Sequence, residues 1–143
     1  MNEIEIEIIG QDAILRSTDA LMKKANDAIK TGLLQVAFLS QAYAQESIIR
    51  GAKSGRLYRR GKTVIHRASA PGEAPANDTG RLASAFKASA SPLSLEASVT
   101  AGTAYAAHLE YGTTKMAARP FLRPAAEKAA EKGAELIAAE LGK

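Results

Sequence analysis

Isoleucine and glutamate alternate at the start of the chain, with Ile4, Ile6 and Ile8 between Glu3, Glu5 and Glu7. A period of two predicts a strand with one buried face, ended at Gly10. Asp12 then stands where a carboxylate can accept a free backbone N–H and cap a helix. From there to about Ala52 the apolar spacing widens to three or four. Ile14, Thr18, Leu21, Ala25, Ile29, Leu33, Val36, Leu39 and Tyr43 make one helical stripe. Unbroken, such a helix is roughly 60 Å long. Thr31-Gly32 is the expected place for a kink, because glycine weakens a helix interior.

The pattern changes after Gly51. Gly55, Gly61, Pro71, Gly72 and Pro75 punctuate the next stretch. Leu57-Tyr58 and Thr63-Val64-Ile65 predict a short hairpin with Arg59 to Lys62 near its tip. Ser69 to Asn77 reads as a loop. Asp78 is placed to cap a short helix reaching Phe86, with Leu82 and Phe86 on one face. Phe86, Ala88 and Ala90 then alternate with Lys87, Ser89 and Ser91. After Pro92, Leu93, Leu95, Ala97, Val99 and Ala101 alternate with polar residues. This predicts a second hairpin covered on one face only. Pro124 suits the first turn of a last helix, where a missing N–H costs nothing. Leu122, Ala126, Ala129, Gly133, Leu136, Ile137 and Leu141 form its stripe. Lys128/Glu131 and Lys132/Glu135 are opposite-charge pairs on its wet face.

These elements predict an α+β fold in one domain, residues 1–143. A long N-terminal helix and a C-terminal helix pack on one face of a small antiparallel sheet. Residues 51–77 form a basic loop or hairpin insertion.

Composition refines this reading. The chain has 143 residues, no Trp and few aromatics. Its alanine-rich helices can pack closely but supply little apolar bulk, so a subunit stabilised by neighbours is expected. With no cysteine, disulfides and thiolate metal sites are excluded. No apolar run is long enough to span a membrane. The acidic N-terminus is unlike a signal peptide, so synthesis in the cytoplasm is expected. The formal charge is +4, but its distribution matters more. Arg50, Lys53, Arg56, Arg59, Arg60, Lys62 and Arg67 fall between Glu46 and Glu73 with no acid among them. Such a patch suits a polyanion or an acidic protein surface.

The candidate chemistry is thin. Asp78-Thr79-Gly80 matches the short signature of aspartic proteases, but that reaction needs two carboxylates sharing a proton. A helix cap is the simpler role for Asp78. His108 and Glu110 are two apart and His66 is distant, too few ligands for a metal. No nucleophile elbow and no phosphate-binding glycine loop occurs. No enzyme, no cofactor and no sequence-reading DNA motif is expected.

The most informative stretch runs from Tyr105 to Pro124. It packs aromatic, acidic, glycine, arginine and proline residues into one connector, and neither a helix nor a strand reads through it. Phe121 is expected to anchor this connector in the core, and Arg119 and Arg123 to reach carboxylates; Glu110 is expected either to pair with an arginine or to cap a backbone turn. The segment Ala118-Arg119-Pro120-Phe121-Leu122-Arg123-Pro124-Ala125 resembles the opening of the C-terminal helix in phage neck and tail-completion proteins. Ala74-Pro75, Asp78-Thr79-Gly80 with Leu82, Tyr105-Ala106, and Glu110 with Gly112-Thr113 match the same family in order. That family includes minor tail protein Z-like members. The basic stretch from Gly51 to Ala74 is longer than its minimal form.

The resemblance implies a non-enzymatic virion protein at the head–tail junction, made in the bacterial host cytoplasm. It implies a homo-oligomeric ring, a hexamer before a dodecamer. Its neighbours would be connector or adaptor, head-closure, tail-terminator and tape-measure proteins, with non-specific contact to packaged DNA and none to a membrane. Alternative readings are a tail-terminator or head-closure ring, or a nucleic-acid-binding protein using residues 50–67.

Overall fold

The computed structural model describes residues 11–143. The strand expected at residues 4–8 lies outside the described residues. Helix α1 is a single element, Gln11–Arg50, about 60 Å long. The helix runs without interruption through Thr31-Gly32, the expected place for a kink. Gly32 serves close packing instead: a Cβ there would lie 2.7 Å from Ile137 Cγ1 and 2.8 Å from Ile137 Cα. Glycine's missing side chain lets two helix backbones approach, which outweighs its low helix propensity.

Two short hairpins and four smaller helices follow. Strands β1 (Leu57–Arg60) and β2 (Val64–Arg67) pair antiparallel. Helix α2 is Arg81–Ser84, and strands β3 (Phe86–Ala90) and β4 (Ala97–Ala101) form the second hairpin. Helix α3 is Ala106–Tyr111, inside the connector where no helix was expected. The last expected helix is two, α4 (Leu122–Ala130) and α5 (Gly133–Leu141), with a turn at Glu131 and Lys132.

Helix α1 is the spine. Helices α4 and α5 pack along it, and so do both strands of the β3–β4 hairpin. The register explains why only one face is covered. Phe86 pairs with Ala101, Ala88 with Val99 and Ala90 with Ala97, all partly or fully buried. Between them, Lys87 opposes Thr100 and Ser89 opposes Ser98 on the exposed face. Leu93 and Leu95, expected in the strand, lie in the loop, and Leu93 is almost fully exposed.

The core line of α1 differs from the expected stripe. Its buried positions are Ala28, Gly32, Ala37, Ser40, Ala44 and Ile48. Small side chains run down the contact, and the larger Ile29, Leu33, Val36, Leu39 and Tyr43 flank it half-buried. Close helix packing selects small residues at the seam, so the bulkiest line is not the deepest. Residues 12–24 are all exposed, and Ile14, Leu15, Leu21 and Met22 are each more than half exposed. Ile14, Thr18 and Leu21 therefore do not reach the core. Ala44, Ile48, Leu82, Ala83, Phe86, Ala106, Phe121 and Ala125 form the main cluster. The pairing expected for Lys128 with Glu131 gives way to another contact: its ammonium lies 4.2 Å from the Tyr43 ring centroid. No helix among the described residues is long and apolar enough to cross a membrane.

Candidate functional site

The connector from Tyr105 to Pro124 folds back on itself. Helix α3 ends at Gly112, whose φ of 77° favours glycine. A Cβ at Gly112 would also lie 2.8 Å from Ala118 N and Met116 O. Thr113 N–H donates to Met116 O at 2.8 Å, closing a small turn. Arg119 N–H then donates to Leu109 O at 2.7 Å, laying the returning chain against α3.

Glu110 fixes what comes next. Its Oε2 accepts the N–H groups of Phe121 and Leu122, each at 2.9 Å, and its Oε1 accepts that of Arg123 at 2.8 Å. These are first-turn donors of α4, which have no partner within the helix. A carboxylate at a helix N-terminus also meets the favourable end of the helix dipole. Glu110 therefore takes the second of its two expected roles, a backbone cap supplied from another helix, and is not the ion-pair partner of Arg119 or Arg123. Pro124 sits in the same first turn, where its missing N–H leaves nothing unsatisfied. Pro120 precedes this turn, and Phe121 is only 2% exposed. Arg123 is exposed, whereas the Nε of Arg119 is buried with no hydrogen-bond partner among the described residues.

Both sequence motifs meet at one cavity of about 300 Å³. The loop from Pro75 to Leu82 forms one wall, and Tyr105, Leu109 and Arg119 form another. His66 reaches it from the basic hairpin, Ser69 from the loop that follows, and Ile48 from α1. Asp78 does not cap α2. The residue preceding that helix is Gly80, with φ 77° and no side-chain cap, and its N–H donates to Asn77 Oδ1 at 3.1 Å. The asparagine side chain thus shapes the turn, as a short acceptor can. Helix α2 also stops at Ser84, leaving Phe86 to open β3. Leu82 and Phe86 are both buried. Asp78 is the one carboxylate among the described residues lining the cavity. Among the described residues, no three His, Cys, Asp or Glu side chains converge as metal ligands would. His108 is exposed and Glu110 is committed to the α4 backbone.

The basic stretch divides by role. Lys53 Nζ donates to Ser47 O at 2.9 Å, at the C-terminal end of α1. Burial lowers its pKa, and the nearby Glu73 charge partly opposes that. Arg67 Nη1 donates to Gly55 O at 3.2 Å and so ties the base of the hairpin. The Arg56 guanidinium lies 5.6 Å from the Tyr58 ring centroid. Arg50, Arg59 and Lys62 are exposed, and Arg60 is the last residue of β1.

Glu73 was the missing feature. It looks distant in sequence, yet Ser54 N–H, Ser54 Oγ and Ala70 N–H all donate to its carboxylate, at 2.9, 2.5 and 2.8 Å. These bonds, led by the Ser54 hydroxyl, hold its pKa down to about 2. Tertiary folding therefore brings an acid to the base of a patch that reads as purely basic. A lone Glu beside Pro71 and Gly72 carries no local signal of this.

No family model matches the chain, and neither a curated protein nor a solved structure matches it.

Proposed function

We propose that this chain is a structural, non-enzymatic subunit of a bacteriophage neck. It forms a ring at the head–tail junction and is needed for tail completion or head–tail joining. The observation that carries this reading is the convergence of its two motifs. Asp78-Thr79-Gly80 with Leu82 and Ala118 to Ala125 lie apart in sequence but border one cavity and one core cluster. The connector residues build joints: Glu110 caps α4, Phe121 fills the core, and Gly112 permits a tight return. Two features of the surface also fit assembly. The first third of α1 presents Ile14, Leu15, Leu21 and Met22 to solvent, and the hairpin presents cations beside exposed apolar residues. Groups of that kind mark contact surfaces in a protein built to be covered by neighbours.

A tail-terminator or head-closure ring is the nearest variant of this role. Nucleic-acid binding by the hairpin ranks second, favoured by exposed Arg59 and Lys62 and by the Arg56 guanidinium 5.6 Å from the Tyr58 ring centroid. It ranks second because Lys53 and Arg67 already serve the fold. The test is mass measurement on purified tailed particles and their detached necks. The chain is expected there at a fixed ring stoichiometry. Replacing the exposed Arg59 and Lys62 with Glu is expected to block joining while the subunit stays folded, because exposed charges add little stability. A monomeric protein absent from particles overturns the proposal.

A further inference from the structure

We propose that the cavity between the β2–α2 loop and the connector binds a carboxylate carried on a small apolar body. Ser69 and Arg119 hold the carboxylate, and Leu82 and Leu109 face the body. The site stands or falls independently of the neck role.

The observation is a pair of unsatisfied polar atoms. Ser69 Oγ, Thr103 Oγ1 and Arg119 Nε are buried without a hydrogen-bond partner among the described residues. Ser69 and Arg119 both line this cavity of about 300 Å³. Buried polar groups are nearly always hydrogen-bonded, so two orphans at one cavity require a ligand or ordered water. The wider grooves beside α4, one at Leu33 and Leu122 and one at Tyr43 and Pro124, have no such atom in their walls.

The backbone behind both residues is fixed. Ser69 is 3% exposed. On one side of it Ala68 N–H donates to Arg56 O at 3.0 Å, and on the other Ala70 N–H donates to the Glu73 carboxylate at 2.8 Å. Arg119 is pinned through its own N–H to Leu109 O. Only the side-chain ends are left to adjust. Neither orphan atom is in contact with solvent. A serine hydroxyl moves to another staggered position by turning one bond, and an arginine fork swings on its stem, so both can meet an arriving ligand.

The missing partner has a definite chemistry. A guanidinium Nε–H only donates, so Arg119 lacks an acceptor. Its planar fork matches the two oxygens of a carboxylate, and a serine hydroxyl can donate to the same group. Arg81 adds a second cation to the lining. Asp78 is the one carboxylate there among the described residues, and it makes an interaction of its own. Ile48, Pro75, Leu82 and Leu109 supply an apolar wall. The volume is at the small end of ligand pockets, which run from about 300 to 1,000 Å³, so a body of one ring suits it.

Two-dimensional NMR of the full-length protein tests this, with benzoate as the probe. Benzoate is expected to shift the Ser69 and Arg119 amides and the Arg119 Nε–H saturably. Benzamide has the ring without the charge and acetate the charge without the ring. Each is expected to bind at least tenfold more weakly. Ser69→Ala and Arg119→Lys are each expected to weaken benzoate binding about tenfold, the second although it keeps the positive charge. A short peptide ending in phenylalanine carries the same carboxylate and ring at a chain end. Tighter binding of the peptide than of benzoate assigns the site to the end of a protein partner, and the reverse assigns it to a free acid. Equal binding of benzoate and benzamide, shifts that bypass the Arg119 Nε–H, or inorganic phosphate binding in preference to benzoate overturns the proposal. So does the absence of saturable shifts with both benzoate and the peptide, which leaves the cavity to ordered water. These readouts come from the unaltered protein and survive a variant that fails to fold.

Discussion

Phe86 and Phe121 meet edge to face, with ring centroids 5.8 Å apart and planes inclined by 69°. This contact joins the first residue of β3 to the residue just before α4. It therefore ties the sheet to the helical layer through the connector.

Phe121→Ala is expected to cost about 3–5 kcal/mol, the range for emptying a buried aromatic site. Phe121→Leu should cost less, because it fills part of the space and loses mainly the ring–ring term, about 0.5–1.5 kcal/mol. Urea unfolding followed by far-UV circular dichroism measures both. Equal midpoints for wild type and Phe121→Ala would show that the ring anchors nothing.

Glu110→Ala leaves three first-turn N–H groups of α4 without their acceptor. The expected loss is about 1–3 kcal/mol, the cost of unsatisfied partly buried donors. Glu110→Gln keeps one acceptor oxygen and should fall between. Hydrogen exchange is the sharper readout: the amides of Phe121, Leu122 and Arg123 should exchange faster in both variants while those of the α1 core stay protected. Unchanged exchange at these three amides would refute the cap.

How much of this was legible follows from the range of each interaction. The long helix, the two hairpins and the α4 start rest on local periodicity and on Pro124, and these signals lie within a few residues of one another. The β3–β4 pairing also follows, since its alternation is set along each strand. What escaped is tertiary. The seam of α1 runs through Ala28, Ala37, Ser40 and Ala44, because the helices approach closely there, and a hydrophobic stripe weights large residues instead. Both roles of Glu110, backbone cap or arginine partner, were open from the sequence, and the choice between them depends on how α3 lies beside α4. Glu73 was invisible, since its partners are set by a loop closing over 19 residues to Ser54. Asp78 was assigned the turn that Asn77 holds, because both side chains offer an acceptor and only geometry separates them.

The Glu73 staple should respond to acid. Its folded pKa, about 2, lies below the value near 4.5 of a free glutamate. A depressed carboxylate pKa contributes stability above the unfolded pKa and loses it as pH falls toward the folded one. The Ser54 to Ala70 closure is thus expected to hold at pH 6 and to loosen between pH 4.5 and 2. Following the Ser54 and Ala70 amides by NMR across this window checks it, with Glu73→Gln as the variant lacking the titration. Amide shifts that move identically in both proteins would assign the transition to another group.

Gly32 gives the clearest conflict between local and tertiary preference. In an isolated helix, Gly→Ala stabilises by about 1 kcal/mol. Here the added Cβ would meet Ile137 at 2.7 Å from Cγ1, 2.8 Å from Cα and 3.2 Å from N. A side-chain tip can rotate away, but Cα and N move only if α5 shifts off α1. Overpacking of this kind costs about 1–3 kcal/mol, enough to cancel or exceed the propensity gain. Gly32→Ala is therefore expected to be destabilising or at best neutral, and to loosen the 2.8 Å hydrogen bond from Gln35 to Glu140. Gly133→Ala is the control, since its nearest contact would be Val36 Cγ2 at an ordinary 3.7 Å. Chemical denaturation of both variants checks the pair. A higher midpoint for Gly32→Ala than for wild type would mean that α5 does not press on α1 at this glycine.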